Sequence, residues 1–292
     1  MSEWVLGVIG GSGLYAMDGL ENPQWVSVES PFGEVSDDIL FSELNGIKLR
    51  FLPRHGRGHK LSPTDVNYRA NIDAMKRAGC TDIISLSAVG SLKEEYAPGH
   101  FVAVDQFIDR TFAREKSFFG KGLVAHVSVA DPICSRLHGL LFDAAKAAGA
   151  TTHKGGTYLA MEGPQFSTKA ESQLYRHWDC DVIGMTNMPE AKLAREAELP
   201  YATIGMVTDY DCWHPDHGNV DVASVLAVLQ KNAATATRTV VEITRILSKI
   251  ERSPSPDGIE TCLDYAIVTS SEAQDPMIRA KLNTILKRYD SR

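Results

Sequence analysis

The chain has 292 residues and 43% hydrophobic side chains, enough for a packed core and too many for a disordered segment. Its net charge of −7 argues against a broad nucleic-acid surface, which needs excess cations, but leaves room for a local anion pocket. The start, MSEWVLGVIGG, lacks the basic and apolar regions of a secretory signal, and no apolar run reaches the roughly 20 residues of a membrane helix. The five cysteines are scattered without CxxC spacing and read as reduced thiols, so a cytoplasmic protein is expected.

In chain order, residues 4–9 read as a buried strand running into the glycine turn Gly10-Gly11-Ser12-Gly13. Residues 48–52 and 82–87 read as further strands, and 68–78 between them has helical spacing ending near Gly79, a C-terminal cap. A helix is predicted over 131–148, with Pro132 in its first turn. Strands follow at 159–162, 181–185 and 201–207, separated by helices at 168–178 and 189–197, and 220–250 is one long amphipathic helix. This alternation predicts an α/β fold: a single domain with a mixed central β-sheet flanked by helices. The run RSPSPDG at 252–258 reads as a linker, dividing a catalytic body over 1–251 from a C-terminal extension over 252–292 with a helix at 276–288.

Six motifs carry candidate chemistry. VIGGSGL leaves backbone N–H groups free after a strand, and Ser12 adds a hydroxyl; such a turn holds an anion or simply reverses the chain. PRHGRGH places Arg54, a planar fork of donors, at a strand's end, where α/β ligand sites gather. In SLSAVGSL, the Ser87 hydroxyl and the Ala88 N–H could face a ligand, or the small residues could serve close packing. MEGPQFST brings Glu162 and Phe166 to a turn, where an aromatic ring can stack on a flat base or join the core. GMTNMPE ends a strand with Met185, suited to a sugar face, and Thr186, a potential anion donor. VTDYDCWHPDH sets Asp209 and Asp211 after an apolar strand; two carboxylates so close cannot ionise independently, which keeps a proton for general-acid work. A metal site is the rival there, since His214, Asp216 and His217 follow.

With VNYRANIDAMK and DQFIDRT, these motifs occur in an order and spacing that resembles the trimeric purine nucleoside phosphorylase family, in its 5′-methylthioadenosine-cleaving branch, from about residue 5 to 250. The resemblance implies a nucleoside-phosphorylase-like fold and a phosphate site at Ser12, Arg54, His55, Ser87, Ala88 and Thr186, with Thr186 bridging phosphate and ribose. It implies that Met185 holds the ribose, Phe166 and Ser167 lie beside the base, and Asp209 and Asp211 face the purine as the catalytic pair. Val222 and Leu226 match the 5′-methylthio pocket, and His126 matches a residue lent by a neighbouring subunit of a homotrimer. The expected reaction is phosphorolysis of a methylthioadenosine-type nucleoside, with inorganic phosphate as co-substrate and no metal or cofactor. An ionised carboxylate accepts from the N6 amine of adenine and repels O6 of a 6-oxopurine, so two aspartates favour adenine. The alternatives are a methylthioinosine or 6-oxopurine phosphorylase, a metal-dependent hydrolase and a nucleoside-binding protein without activity.

Overall fold

The computed structural model describes residues 3–11, 14–215 and 222–291. The first strands are β1 (Val5–Gly10), β2 (Glu21–Val26), β3 (Ile39–Leu44) and β4 (Ile47–Pro53), followed by helix α1 (Tyr68–Arg77) and the long strand β5 (Asp82–Ser91). The short strands β6 (Phe101–Val104) and β7 (Gln106–Asp109) precede α2 (Ser135–Ala147). Next come β8 (Thr152–Lys154), β9 (Thr157–Ala160), α3 (Lys169–His177), β10 (Val182–Gly184), α4 (Asn187–Glu196) and β11 (Tyr201–Asp209). Helix α5 (Val222–Leu247) and the short α6 (Pro276–Lys281) complete the chain.

Among the described residues all eleven strands join one mixed sheet, as the alternating pattern predicted. Its path runs β2-β3-β4-β1-β5-β10-β9-β7, while β11 lies against β5 and β6, and β8 against β6. Strand β5 organises the molecule. One edge pairs in parallel with β11 from Ile83 to Gly90. The other edge pairs with β1 only as far as Ser85, and with β10, antiparallel, only from Gly90 onward. Between those points Leu86–Val89 has no strand on that side among the described residues, and this edge lies at the C-terminal ends of β1 and β10. A sheet interrupted in this way is where a ligand can replace a neighbouring strand.

Local chemistry explains several boundaries. The Asn67 side chain caps α1 by accepting from Ala70 N, and Gly79, at φ +84°, ends the segment in a left-handed turn. Thr168 and Glu171 form a reciprocal capping box at the start of α3. The predicted helix at 131–148 begins instead at Ser135, with Pro132 outside it. Tertiary bonds take up the intervening backbone: Cys134 N donates to Tyr201 O (2.9 Å), Arg195 donates to Asp131 O, and Ser135 N is capped by Asp257 (2.7 Å). The helix expected over 276–288 stops at Lys281 and gives way to turns, in which Leu282, Ile285 and Leu286 are buried. Strand β2, which contains Pro23 and is largely exposed, carries no alternating signal and lies at the sheet edge, where proline is tolerated.

The stretch beyond 251 lies against the sheet domain. Ile259, Leu263, Ala266, Leu282, Ile285 and Leu286 are buried in the same hydrophobic core as the strands. Arg252 reaches the fully buried Asp82 (2.5 Å), and Arg288 pairs with Glu198 (2.6 Å). Among the described residues no helix is long and apolar enough to cross a membrane.

Candidate active site

A cavity of about 350 Å³ opens over the gap in β5. Its floor is Leu86 to Gly90; its walls come from the ends of β4, β10 and β11 and from one face of α5. The sheet topology thus brings together residues far apart in sequence: Arg54, His55, Ser87, Ala88, Phe166, Met185, Thr186, Asp209, Asp211 and Leu226 all line it.

The anion-binding candidates occupy one end. Arg54 follows directly on β4, and its N–H donates to Gly10 O (3.0 Å), which ties the loop to β1. The guanidinium is 2% exposed and paired with the equally buried Glu190, Nε to Oε2 at 2.8 Å and Nη2 to Oε1 at 2.9 Å. Nη2 also donates to Ser85 Oγ (2.5 Å). Burial opposes the Arg54 charge, but the Glu190 carboxylate outweighs it and holds the guanidinium firmly protonated. His55 Nδ1 lies 2.9 Å from Leu61 O and, facing a carbonyl, carries the proton. Burial first, and then the Arg54 charge, push this imidazole down to about 4, so it is neutral at ordinary pH. Ser87 Oγ and Thr186 Oγ1 lie 2.8 Å apart beneath the opening. Ser12 falls outside the described residues.

At the other end, β11 delivers the carboxylate pair. Asp209 Oδ2 accepts from Thr208 Oγ1 (2.7 Å) and Oδ1 from Asp211 N (2.8 Å). The chain turns at Asp211 with φ +50°, a conformation that Asp tolerates better than most residues. Asp211 is 5% exposed, and its Oδ2 has no hydrogen-bond partner among the described residues. Burial raises both carboxyls above their ordinary range. The Thr208 hydroxyl and Asp211 N–H oppose the shift at Asp209, while the Asp211 charge adds to it. Ser172 and Ser167 oppose it at Asp211. Gly90 makes room for the pair: a Cβ there would sit 2.8 Å from Asp209 Oδ1.

Phe166, 43% exposed, and Leu226, 49% exposed, flank the mouth. Leu226 is joined on α5 by Val225, Leu229, Ala233 and Ala236, an apolar wall wider than the sequence reading proposed. Asn232, one position before Ala233, donates to Val207 O (3.0 Å) and anchors that helix to β11. The side chain of Val222 lies outside the described residues. Ser167 does not line the cavity; its carbonyl accepts from Cys212 Sγ (3.3 Å). His126 is exposed and away from this chain's cavity, its N–H donating to Ala266 O (2.9 Å) in the tail. Of the candidate metal ligands, His214 bonds Glu94 (3.0 Å), Asp216 and His217 lie outside the described residues, and among the described residues no group of three or more His, Cys, Asp or Glu could hold a metal.

Two supporting residues were not visible in the sequence. Glu190 is 136 positions from Arg54, and only the fold pairs them. Arg114, in the loop after β7, is 9% exposed and donates to Met185 O (2.7 Å), Met188 O (2.8 Å) and Glu162 (2.9 Å), fixing the β10–α4 corner. Although burial works upward, the Thr64 hydroxyl, the Phe112 and Ala113 N–H groups and Arg114 hold the Glu162 carboxyl down at about 2. Glu162 is therefore a structural anion outside the cavity lining.

A sequence model of the phosphorylase superfamily matches residues 5–245. The chain is 60% identical over 284 residues to the S-methyl-5′-thioadenosine phosphorylase of Rhodospirillum rubrum, covering 97% of this chain and 96% of that one. It is 58% identical to the Cereibacter sphaeroides protein of the same name, covering 97% and 98%. A crystal structure of a methylthioadenosine phosphorylase from an antarctic soil metagenomic library superposes with a TM-score of 0.91 at 46% identity, covering 98% of this chain and all of that one (100%). A methylthioadenosine phosphorylase from Schistosoma mansoni in complex with adenine gives 0.85 at 33% identity, covering 90% and 98%. The chain belongs to the phosphorylase superfamily, within its S-methyl-5′-thioadenosine phosphorylase family.

Proposed function

We propose that the protein cleaves S-methyl-5′-thioadenosine with inorganic phosphate, giving adenine and 5-methylthioribose 1-phosphate. The observation that carries this reading is one cavity with a buried cationic end at Arg54 and a carboxylate pair with raised pKa values at the other. Relatives that share most of this chain's length bear the name of that activity.

Phosphate lies against Arg54, His55, Ser87 and Ala88, with Ser12 from the glycine turn, and positioning beneath C1′ is the first part of catalysis. Thr186 stands at the junction of phosphate and ribose, and Met185 against the ribose. As the C1′–N9 bond breaks, positive charge develops at the sugar, and the phosphate dianion below stabilises it. A phosphate oxygen then bonds C1′, and the electron pair of the broken bond passes to the purine. Asp209, sharing one proton with Asp211, donates it to N7, and Asp211 accepts from the exocyclic amine. Phe166 flanks the base, with Ser167 behind it, outside the cavity lining. Val222 and Leu226, with Val225 and Leu229, form an apolar seat for the methylthio group.

The reading extends to a cytoplasmic homotrimer in which His126 completes a neighbour's pocket, with no resident metal or cofactor. Phosphorolysis assays with methylthioadenosine, methylthioinosine, adenosine and inosine, with and without phosphate and chelator, test the activity. Phosphate-dependent, chelator-resistant turnover led by methylthioadenosine is expected. Phosphate-independent, chelator-sensitive cleavage would mark a metal-dependent hydrolase. Sedimentation tests the assembly: a trimer is expected, and a fully active monomer would refute the shared site.

A further inference from the structure

Thr186 forms part of the cavity wall, and the direction of its hydroxyl follows from its neighbours by elimination. Glu190 is paired with Arg54, so its carboxylate only accepts. The Tyr201 hydroxyl, 2.8 Å from Glu190 Oε1, must therefore donate to it. With that hydrogen committed, the Tyr201 oxygen can only accept from Asn187, so Asn187 turns Nδ2 toward Tyr201 (2.9 Å) and Thr203 (2.6 Å). Asn187 Oδ1 then faces Thr186 Oγ1 at 3.1 Å and takes its single hydrogen. Ser87 becomes the donor in the 2.8 Å pair with Thr186. Glu190, Tyr201 and Asn187, which set the order, are 0–1% exposed, so bulk water does not reset it; only Thr186 and Ser87 face the cavity.

We propose that Glu190, Tyr201 and Asn187 are positioning residues that hold Thr186 as a hydrogen-bond acceptor toward the cavity, where it reads an O–H group on the ligand. The proposal rests on the phosphorolysis reading above. An unprotonated phosphate oxygen receives no hydrogen from Thr186; its side-chain donors are Arg54, Ser87, whose hydrogen needs only a rotation about Cβ–Oγ, and, in the proposed site, Ser12. Two ligand groups offer the O–H that Thr186 accepts: a ribose hydroxyl and the P–OH of hydrogen phosphate.

The test uses two near-isosteric variants, because replacing Glu190 strands a buried arginine and risks the fold. Thr186→Val removes the acceptor; Tyr201→Phe breaks the chain while leaving the Arg54–Glu190 pair intact. In both, in the double variant and in wild type, kcat/KM is measured for methylthioadenosine and its 2′-deoxy and 3′-deoxy analogues, and sulfate inhibition is compared with phosphate KM. Thr186→Val should cost about tenfold, and Tyr201→Phe about threefold, as for one lost or loosened hydrogen bond. If the sugar is read, Thr186→Val erases the wild-type penalty on one deoxy analogue. If P–OH is read, it erases the preference for phosphate over sulfate, which carries no hydrogen. Tyr201→Phe should add nothing in the Thr186→Val background, since it acts through Thr186. Equal effects of Tyr201→Phe in both backgrounds, or unchanged ratios in Thr186→Val, would overturn the proposal. A wild type without phosphate-dependent cleavage would instead reject the underlying activity before any variant is compared.

Discussion

The two ends of the cavity differ in how completely the protein satisfies its own polar groups. At the anion end, Arg54 and Glu190 are almost fully buried, each bonded to the other and to a neighbouring hydroxyl, on the ends of a strand and a helix. At the base end, Asp211 keeps a buried oxygen without a partner among the described residues, and the apolar flanks Phe166 and Leu226 are about half exposed. A closed network holds one geometry before any ligand arrives; a carboxylate with one open oxygen can be completed by what binds. On the proposed mechanism, the contrast corresponds to positioning at the anion end and to recognition with proton delivery at the base end.

The largest expected effect falls on the recognition end. Asp209→Asn removes the acid and should lower the rate with methylthioadenosine by about 10²- to 10⁴-fold while leaving the phosphate KM near its wild-type value. A comparable rise in phosphate KM would dissolve the division between the ends.

Arg54→Ala should act on the other end and on the fold together. It should raise the phosphate KM far more than the nucleoside KM. Because Glu190 is left buried and uncompensated, unfolding in denaturant should also show a loss of about 3–5 kcal/mol. Arg54 would lose its assigned role if both KM values moved equally or neither moved.

Thr208→Val sharpens the account of the proton. The Thr208 hydroxyl works against the burial that raises the Asp209 carboxyl, so its loss should raise that pKa further. The protonated acid then survives to higher pH, and the alkaline limb of the kcat/KM profile should move upward. A downward movement would contradict the acid role. The smallest effect is on stability: Thr168→Ala removes the α3 capping box and should cost about 1 kcal/mol, with kinetic constants changed less than in any variant above.

Much of this division was legible in the sequence, because α/β ligand sites gather where strands end. Arg54 after β4, Thr186 after β10 and Asp209 at the end of β11 each stood at such a point, Ser87 stood at the expected end of a strand that in fact runs on to Ser91, and the structure brings them into one cavity. The sequence did not reveal what holds them. The pairing of Arg54 with Glu190, the hold of Arg114 on the β10–α4 corner and the space Gly90 leaves for Asp209 are contacts between distant segments, with no periodic signature. Short strands such as β6 and β8, of four and three residues, carry too few alternations to be read. The stretch after 251 read as an extension because its linker is rich in serine and proline, yet Ile259, Leu263, Ala266, Leu282, Ile285 and Leu286 reach the core. His126 is placed in the site by resemblance, and in this chain it lies on an exposed loop beside the tail.

In the proposed mechanism the aspartate pair both delivers the proton and chooses the base. The measurement closest to it is the ratio of kcat/KM for methylthioadenosine to that for methylthioinosine, at saturating phosphate, in wild type and in Asp209→Asn with folding checked by circular dichroism. The amide of Asn can donate to O6 of hypoxanthine but offers no acidic proton to N7 of adenine. The ratio should fall, the adenine nucleoside losing most and the hypoxanthine nucleoside losing less or gaining. An unchanged ratio in a folded variant would contradict base selection by this pair.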